Sequence, residues 1–313
     1  MAAKNRGLKP LPSGWGRVSR YDQIMSRPNL HLPLLLDPAR LAPPLLGLAI
    51  AVVLVAAAAP SRPATQEARP TTARKTAGGD QPTVLIFSRT KGFRHGSIPA
   101  GIKAMRGIGQ EHGFRVEATE DPTWFQPERL SKFDGVVFLN TTGDVLDDRQ
   151  QKAFEAFIQA GGGYVGIHSA ADTEYDWPWY GRLVGAYFKT HPRIQPATIN
   201  VENRTFPGTR FLPETWKRTD EWYVYRENPR PNVKVLLSLD ESTFEGGGMN
   251  GDHPIAWYQD YDGGRAFYTG GGHTDESFEE PLFRRHLGEA VMWSTGQRPI
   301  PGNLKTDDEA VNR

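Results

Sequence analysis

Residues 135–168 read GVVFLNTTGDVLDDRQQKAFEAFIQAGGGYVGIH, a strand pattern, a helix pattern and a second strand pattern in succession. Gly135–Asn140 (GVVFLN) is a short unbroken apolar run, as expected of a strand covered on both faces. Asp147–Ala160 switches to helical spacing, with Phe154, Phe157 and Ile158 on one face and Gly161 just past the end. Tyr164–His168 (YVGIH) is a strand again. Upstream, the alternation repeats. Val84–Ser88 (VLIFS) is a strand. Ser97 can cap a helix running to about His112, with Ile98, Ile102, Met105 and Ile108 near helical spacing. Arg115–Glu120 is the next strand. This β-α-β-α order predicts an α/β fold, a parallel sheet with helices on both faces.

Downstream the period is lost. Residues 175–232 are rich in Trp, Tyr, Pro and Arg and read as an irregular, aromatic-rich insertion of loops and short strands. Strand patterns return at Val233–Leu239, Pro254–Tyr261 and Arg265–Thr269. The turn Asp262-Gly263-Gly264 makes the last two a hairpin. Glu279–Ser294 closes the domain as a helix. The domain is expected to span 83–297, with 298–313 a loose polar tail.

The chain has 313 residues and no Cys, which excludes disulfides, thiolate metal sites, a lipidated Cys and a Cys nucleophile. Its net charge of +1 hides an asymmetry. Residues 1–40 form a basic lead with 7 Lys/Arg against 2 Asp/Glu, whereas residues 83–313 carry 26 against 32. An acidic domain offers no electrostatic footprint for nucleic acid, so no nucleic-acid partner is expected. Residues 41–59 (LAPPLLGLAIAVVLVAAAA) carry no charge and follow Arg17, Arg20, Arg27 and Arg40, the arrangement of a signal peptide or an N-terminal membrane anchor. The small residues Ala56–Ala59 resemble a cleavage region, Pro60 disfavours a cut directly after Ala59, and Met25 is an alternative start. Residues 60–82 read as a disordered linker. Either outcome places the domain outside the cytoplasm, periplasmic or extracellular.

Ligands of parallel sheets bind beyond the carboxyl ends of the strands. Those ends are polar here, and several carry a histidine: His95 after the first strand, His168 after the fourth, His273 after the hairpin. His191 and His253 also fall in loops or at strand ends, while His112 and His286 fall inside helices and read as surface residues. With Asp172, Asp220, Glu221, Asp252 and Asp275 nearby in sequence, these suggest a shared polar pocket. Gly166-Ile167-His168-Ser169-Ala170 has the look of a strand-to-helix elbow, but His168 occupies the nucleophile's place and Ser169 comes one position late. His168 and Asp172, four apart, would share a helical face and could hold a divalent metal with His95 or His273; the same groups could move protons without one. Gly246–Gly251 (GGGMNG) matches a dinucleotide fingerprint on paper, but a strand pattern follows where a helix is needed, so no NAD is expected. Trp177, Trp179, Trp216 and Trp222, with Tyr175, Tyr180, Tyr223 and Tyr225, are either a sugar-stacking wall or a satellite core.

Taken together, Thr90–His95 (TKGFRH), Gly166–His168 with Asp172-Thr173, His191-Pro192, Asp220–Tyr223 (DEWY), and Gly264–Thr269 (GRAFYT) with Gly272–Thr274 resemble the ThuA-like (trehalose utilisation) family over residues 83–297. The resemblance implies a class I glutamine amidotransferase-like, flavodoxin-like sheet. It does not imply amidotransferase chemistry, which needs a Cys where His168 stands. The family is linked to sugar use and to oxidoreductases that make 3-keto-glycosides, and relatives are labelled secreted glycosyl hydrolases. The expectation is an exported enzyme acting on a glycoside or 3-keto-glycoside. His168 or His273 would be the base, Asp172 its orienting group, and His95 or Arg94 would lie near developing negative charge. Asp220 and Glu221 would supply the acid, with His191, Trp222 and His253 among the substrate contacts. Two alternatives remain at this point: a non-catalytic carbohydrate-binding module on a membrane tether, and two-carboxylate hydrolysis by Glu221 and Asp172. The oligomeric state is not legible.

Overall fold

The computed structural model describes residues 81–301. The basic lead, the apolar run 41–59, the linker up to residue 80 and the tail beyond 301 lie outside the described residues. Among the described residues, no helix is long and apolar enough to cross a membrane.

The elements run β1 (Thr83–Phe87), α1 (Ile98–His112), β2 (Arg115–Thr119), α2 (Pro127–Leu130), β3 (Gly135–Leu139), α3 (Asp148–Gln159), β4 (Gly163–Ile167), α4 (Pro178–Val184) and β5 (Phe188–Thr190). They continue with β6 (Gln195–Val201), β7 (Thr215–Asp220), β8 (Val224–Tyr225), β9 (Lys234–Leu239), β10 (His253–Tyr261), β11 (Gly264–Thr269), α5 (Asp275–Glu279) and α6 (Pro281–Ser294). The main sheet has nine strands in the order β2-β1-β3-β4-β11-β10-β9-β6-β7. From β2 to β11 neighbouring strands are parallel, and from β11 to β7 they are antiparallel.

Every residue of β1, β3 and β4 is buried, so their unbroken apolar runs have the pattern of central strands. Right-handed crossovers in opposite directions, β1 to β2 and β3 to β4, place α1 and α3 on opposite faces. Over one face α6 packs on α1. On the other, Tyr180 of α4 lies against Phe138 and Trp177 against Phe154 of α3. Helix α3 starts with a capping box between Asp147 and Gln150. Ser97 stands at the start of α1, but its side chain makes no cap; its hydroxyl instead donates to the Gly272 carbonyl at 3.3 Å.

The 175–232 segment holds the short strands expected of it, and they join the sheets. It supplies β6 and β7 of the main sheet and the small β5–β8 ribbon. Its two sheet strands alternate buried and exposed residues, but the buried set in β7 is Trp216, Arg218 and Asp220. Polar residues facing inward erase the hydropathy signal. The aromatics here are mostly core: Trp177, Trp216, Trp222, Tyr180, Tyr223 and Tyr225 are all buried. His286 is fully buried rather than on the surface, and its Nδ1 faces the Gly208 carbonyl at 2.8 Å.

Candidate functional site

The strand order reverses between β1 and β3, and beyond their carboxyl ends lies the crevice in which α/β sheets bind ligands. Three loops meet there and are laced together. Thr90 bridges to Thr142, and Gly143 to Thr173. The N–H of Lys91 donates to the Thr142 carbonyl at 2.7 Å, and that of Gly143 to the Asp172 carbonyl at 2.8 Å. The ends of β3 and β4 turn sharply, with Asn140 and His168 both at φ 50°. A left-handed conformation is uncommon for such residues and marks a position held by its surroundings.

His168 is fully buried at this elbow. Its Nδ1 lies 2.9 Å from the Gly270 carbonyl at the end of β11. A carbonyl only accepts, so Nδ1 carries the proton and Nε2 faces the crevice. There Nε2 lies 3.1 Å from His273 Nδ1 and 3.4 Å from Glu221 Oε2. His273 Nδ1 is in turn 3.1 Å from the same Oε2. The other oxygen, Glu221 Oε1, is 3.0 Å from His191 Nδ1, which also faces the Pro192 carbonyl at 2.9 Å. His95 completes the group: its ring meets those of His168 and His273 edge-on at 4.9 and 5.0 Å, and its Nδ1 lies 3.3 Å from the Ser169 hydroxyl. His95, His168, Glu221 and His273 each offer one ligand atom, and these atoms all lie within 4.8 Å of one another.

Burial, together with His168 and His273, pushes His95 down to about 3, so its ring is neutral. Burial would raise Glu221, but the neighbouring His168 and His273 outweigh it and hold the carboxyl well below the usual range. For His273 burial lowers the affinity for a proton, while the hydrogen bond and charge of Glu221 more than restore it. Tyr223 forms the wall behind, its ring 4.1 Å from that of His168. The open side carries His191, whose side chain is 43% exposed.

Of the residues singled out by sequence, the fold thus brings together His95, His168, His191, Glu221 and His273. The others are placed differently. Asp172 makes no hydrogen bond to His168; it accepts from the Tyr175 hydroxyl at 2.6 Å, and burial raises its affinity for a proton. Asp220 lies behind the site with both oxygens engaged. It accepts from the backbone N–H groups of Gly272 and His273 at 2.8 and 3.1 Å and from the Ser277 hydroxyl at 2.7 Å. Arg94 points away and pairs with Glu120 on the surface. Trp222 is fully buried and donates its indole N–H to the Gln195 carbonyl. His253 is also fully buried, between Glu241 and the Tyr223 carbonyl. The Gly246–Gly251 loop closes on Glu241, which accepts the N–H groups of Gly248, Met249 and Gly251. The Gly270 carbonyl and the Ser97–Asn140–Gly272 contacts that shape the loop leave no mark in a single sequence.

The model of the family described as trehalose utilisation (ThuA) matches residues 83–294. A ThuA-like protein of Bacteroides uniformis is similar in structure, with a TM-score of 0.60 and 26% identity, over 71% of this chain and 94% of that one. A ThuA-like protein of Parabacteroides merdae has the same TM-score of 0.60 and the same coverage, 71% and 94%, at 19% identity, and so supports the fold alone. Among curated proteins none matches the sequence. With about two thirds of its length matched, and with the flavodoxin-like α/β core in place, this chain belongs to the ThuA family, and its setting is carbohydrate utilisation.

Proposed function

We propose that the protein is an exported enzyme that cleaves a glycoside or 3-keto-glycoside by hydrolysis or elimination. The observation that carries this reading is the His–Glu cluster gathered from the loops after β1, β4, β7 and β11 of a ThuA-family sheet. A 3-keto group acidifies the neighbouring C2–H. Removing that proton places negative charge on the keto oxygen; collapse of the enolate forms the C1–C2 double bond and expels the glycosidic oxygen, which takes up a proton. The chemistry requires a base, an acid and a place for the developing oxyanion.

His191 is the base in this scheme. Its Nδ1 faces two acceptors, Glu221 and the Pro192 carbonyl, so in the neutral ring Nε2 keeps the lone pair. Of the inner cluster, the His273 ring, whose affinity for a proton is raised by Glu221, faces the oxyanion. His191, once protonated, gives that proton to the leaving oxygen, so one ring serves as base and then acid. This scheme moves the base outward from His168 and His273, whose ring nitrogens point at one another. Export rests on the charge-free run 41–59, which would serve as signal peptide or anchor. The test is to incubate the full chain with a panel of glycosides and their 3-keto forms, reading products by mass spectrometry. Turnover lost in His191→Ala, with unchanged circular dichroism, supports the scheme; full turnover in that variant overturns it.

A non-catalytic carbohydrate-binding module is the second reading, favoured by the exposed Phe93 ring beside His95. Sugar binding without turnover anywhere in the panel, unaffected by His191→Ala, would establish it in place of the first.

A further inference from the structure

We propose that His95, His168, His273 and Glu221 hold one divalent transition-metal ion of the zinc type. The first argument is spacing. Around Zn at about 2.0–2.1 Å, the ligand atoms of a tetrahedron lie about 3.3–3.4 Å apart. The triangle of His168 Nε2, His273 Nδ1 and Glu221 Oε2 has edges of 3.1, 3.1 and 3.4 Å, and His95 brings a fourth atom within 4.8 Å of all of them.

The second argument is hydrogen-bond bookkeeping. His168 spends its Nδ1 proton on Gly270, so the neutral ring presents a lone pair at Nε2. Glu221 Oε2 presents another. At 3.4 Å these repel unless something positive lies between them. One proton on His273 Nδ1 can satisfy only one of its two neighbours. A cation satisfies all three atoms, and His95 as well.

The third argument is the outer layer. Metal-binding histidines carry a partner on the nitrogen away from the ion, which fixes tautomer and orientation. His168 has the Gly270 carbonyl there, and His95 has the Ser169 hydroxyl. The backbone of His273 is fixed by Asp220, and the second oxygen of Glu221 by His191. Three imidazoles and one carboxylate suit Zn, Mn, Fe or Co rather than Ca or Mg. The ligand set differs from the His168–Asp172 pair that sequence spacing suggests: Glu221 takes the carboxylate position.

The inference does not depend on the carbohydrate reading, because metal binding is read without any substrate. The full chain would be stripped with EDTA, reloaded with Zn²⁺ and, separately, Co²⁺, and passed through a desalting column. Bound metal would be counted by plasma mass spectrometry and Co²⁺ geometry read from its visible absorption. The expected result is one metal per chain and the strong absorption of four-coordinate Co²⁺. His273→Ala and Glu221→Gln should each weaken Zn²⁺ binding at least 100-fold, while Asp172→Asn keeps one equivalent. Should either variant fail to fold by circular dichroism, His95→Ala replaces it. Less than 0.1 equivalent in the unmutated chain, or one full equivalent retained in the folded His273, Glu221 or His95 variants, overturns the proposal.

Discussion

The backbone N–H of His273 donates to the Asp220 carboxylate at 3.1 Å, while the ring of the same histidine meets Glu221, the next residue along, at 3.1 Å. Two consecutive carboxylates therefore hold one histidine from opposite sides. Asp220 fixes the loop that carries it, and Glu221 addresses the ring.

Asp220 is fully buried, with Arg218 as its charged neighbour at 3.4 Å. Removing one member of a buried pair strands the other charge and typically costs about 3–5 kcal/mol. Arg218 retains Glu280 at 2.7 Å, which places the cost at the lower end. Asp220→Ala should therefore destabilise the protein by about 3 kcal/mol in urea unfolding and release the Gly272–His273 turn. A loss below about 1 kcal/mol would show that the clamp is not structural.

His286 supplies a pH prediction away from the site. Burial pushes it down to about 4, and its Nδ1 faces Gly208. The unfolded chain binds this proton near pH 6.5, whereas the folded chain does not until about pH 4. As pH falls through that window, protonation favours the unfolded state, so stability present at pH 7 is lost on acidification. The shift corresponds to a loss of about 3 kcal/mol. In His286→Gln the stability lost between pH 6.5 and 4 should be smaller by about that amount; an unchanged loss assigns the acid sensitivity to other groups.

Ser169 tests the elbow. Its hydroxyl is 3.3 Å from His95 Nδ1, at the long end for a hydrogen bond, and burial holds the His95 ring far from accepting a proton. A nucleophile needs a competent base, and this one is poor. Ser169→Ala should lower turnover on the substrate found in the panel by about ten- to a hundredfold, the cost of removing the outer partner of a ligand histidine. A loss of about a thousandfold or more, with the protein still folded, would restore Ser169 as the attacking group.

The parallel half of the sheet is legible because β1, β3 and β4 are apolar throughout, and a doubly covered strand has no other pattern. Strands β6 and β7 are hidden because Gln195, Arg218 and Asp220 face inward and find polar partners there. In the site, position at the ends of strands singles out His95, His168 and His273, but not what each nitrogen faces. Asp172 shows why. Spacing of four puts two residues on one face of an α-helix, but His168–Asp172 folds as a 3-10 turn. With three residues per turn, the fourth residue along points about 120° away. Glu221, remote in sequence, arrives from the end of β7 instead; the sequence marks it as a candidate acid but not as the partner of His168 and His273.

Phe93 is 68% exposed, and among the described residues only Ile194 is also a large exposed hydrophobic, at 45%. Both lie a few residues from a site histidine, Phe93 before His95 and Ile194 after His191. The Phe93 ring meets His95 edge-on at 5.0 Å, and its carbonyl accepts from the Thr142 hydroxyl at 2.8 Å, so the residue is held at the rim. An exposed aromatic face beside a polar cluster offers stacking to the C–H face of a pyranose, worth about 1 kcal/mol. Phe93→Ala should raise KM, or the Kd for a bound sugar, about fivefold. Turnover at saturation and thermal stability should not change, because the ring buries little and touches no reacting atom in the proposed scheme. Phe93→Trp should restore affinity to at least the original value. A KM unchanged in Phe93→Ala would place the sugar on the His191 side of the crevice, away from this ring.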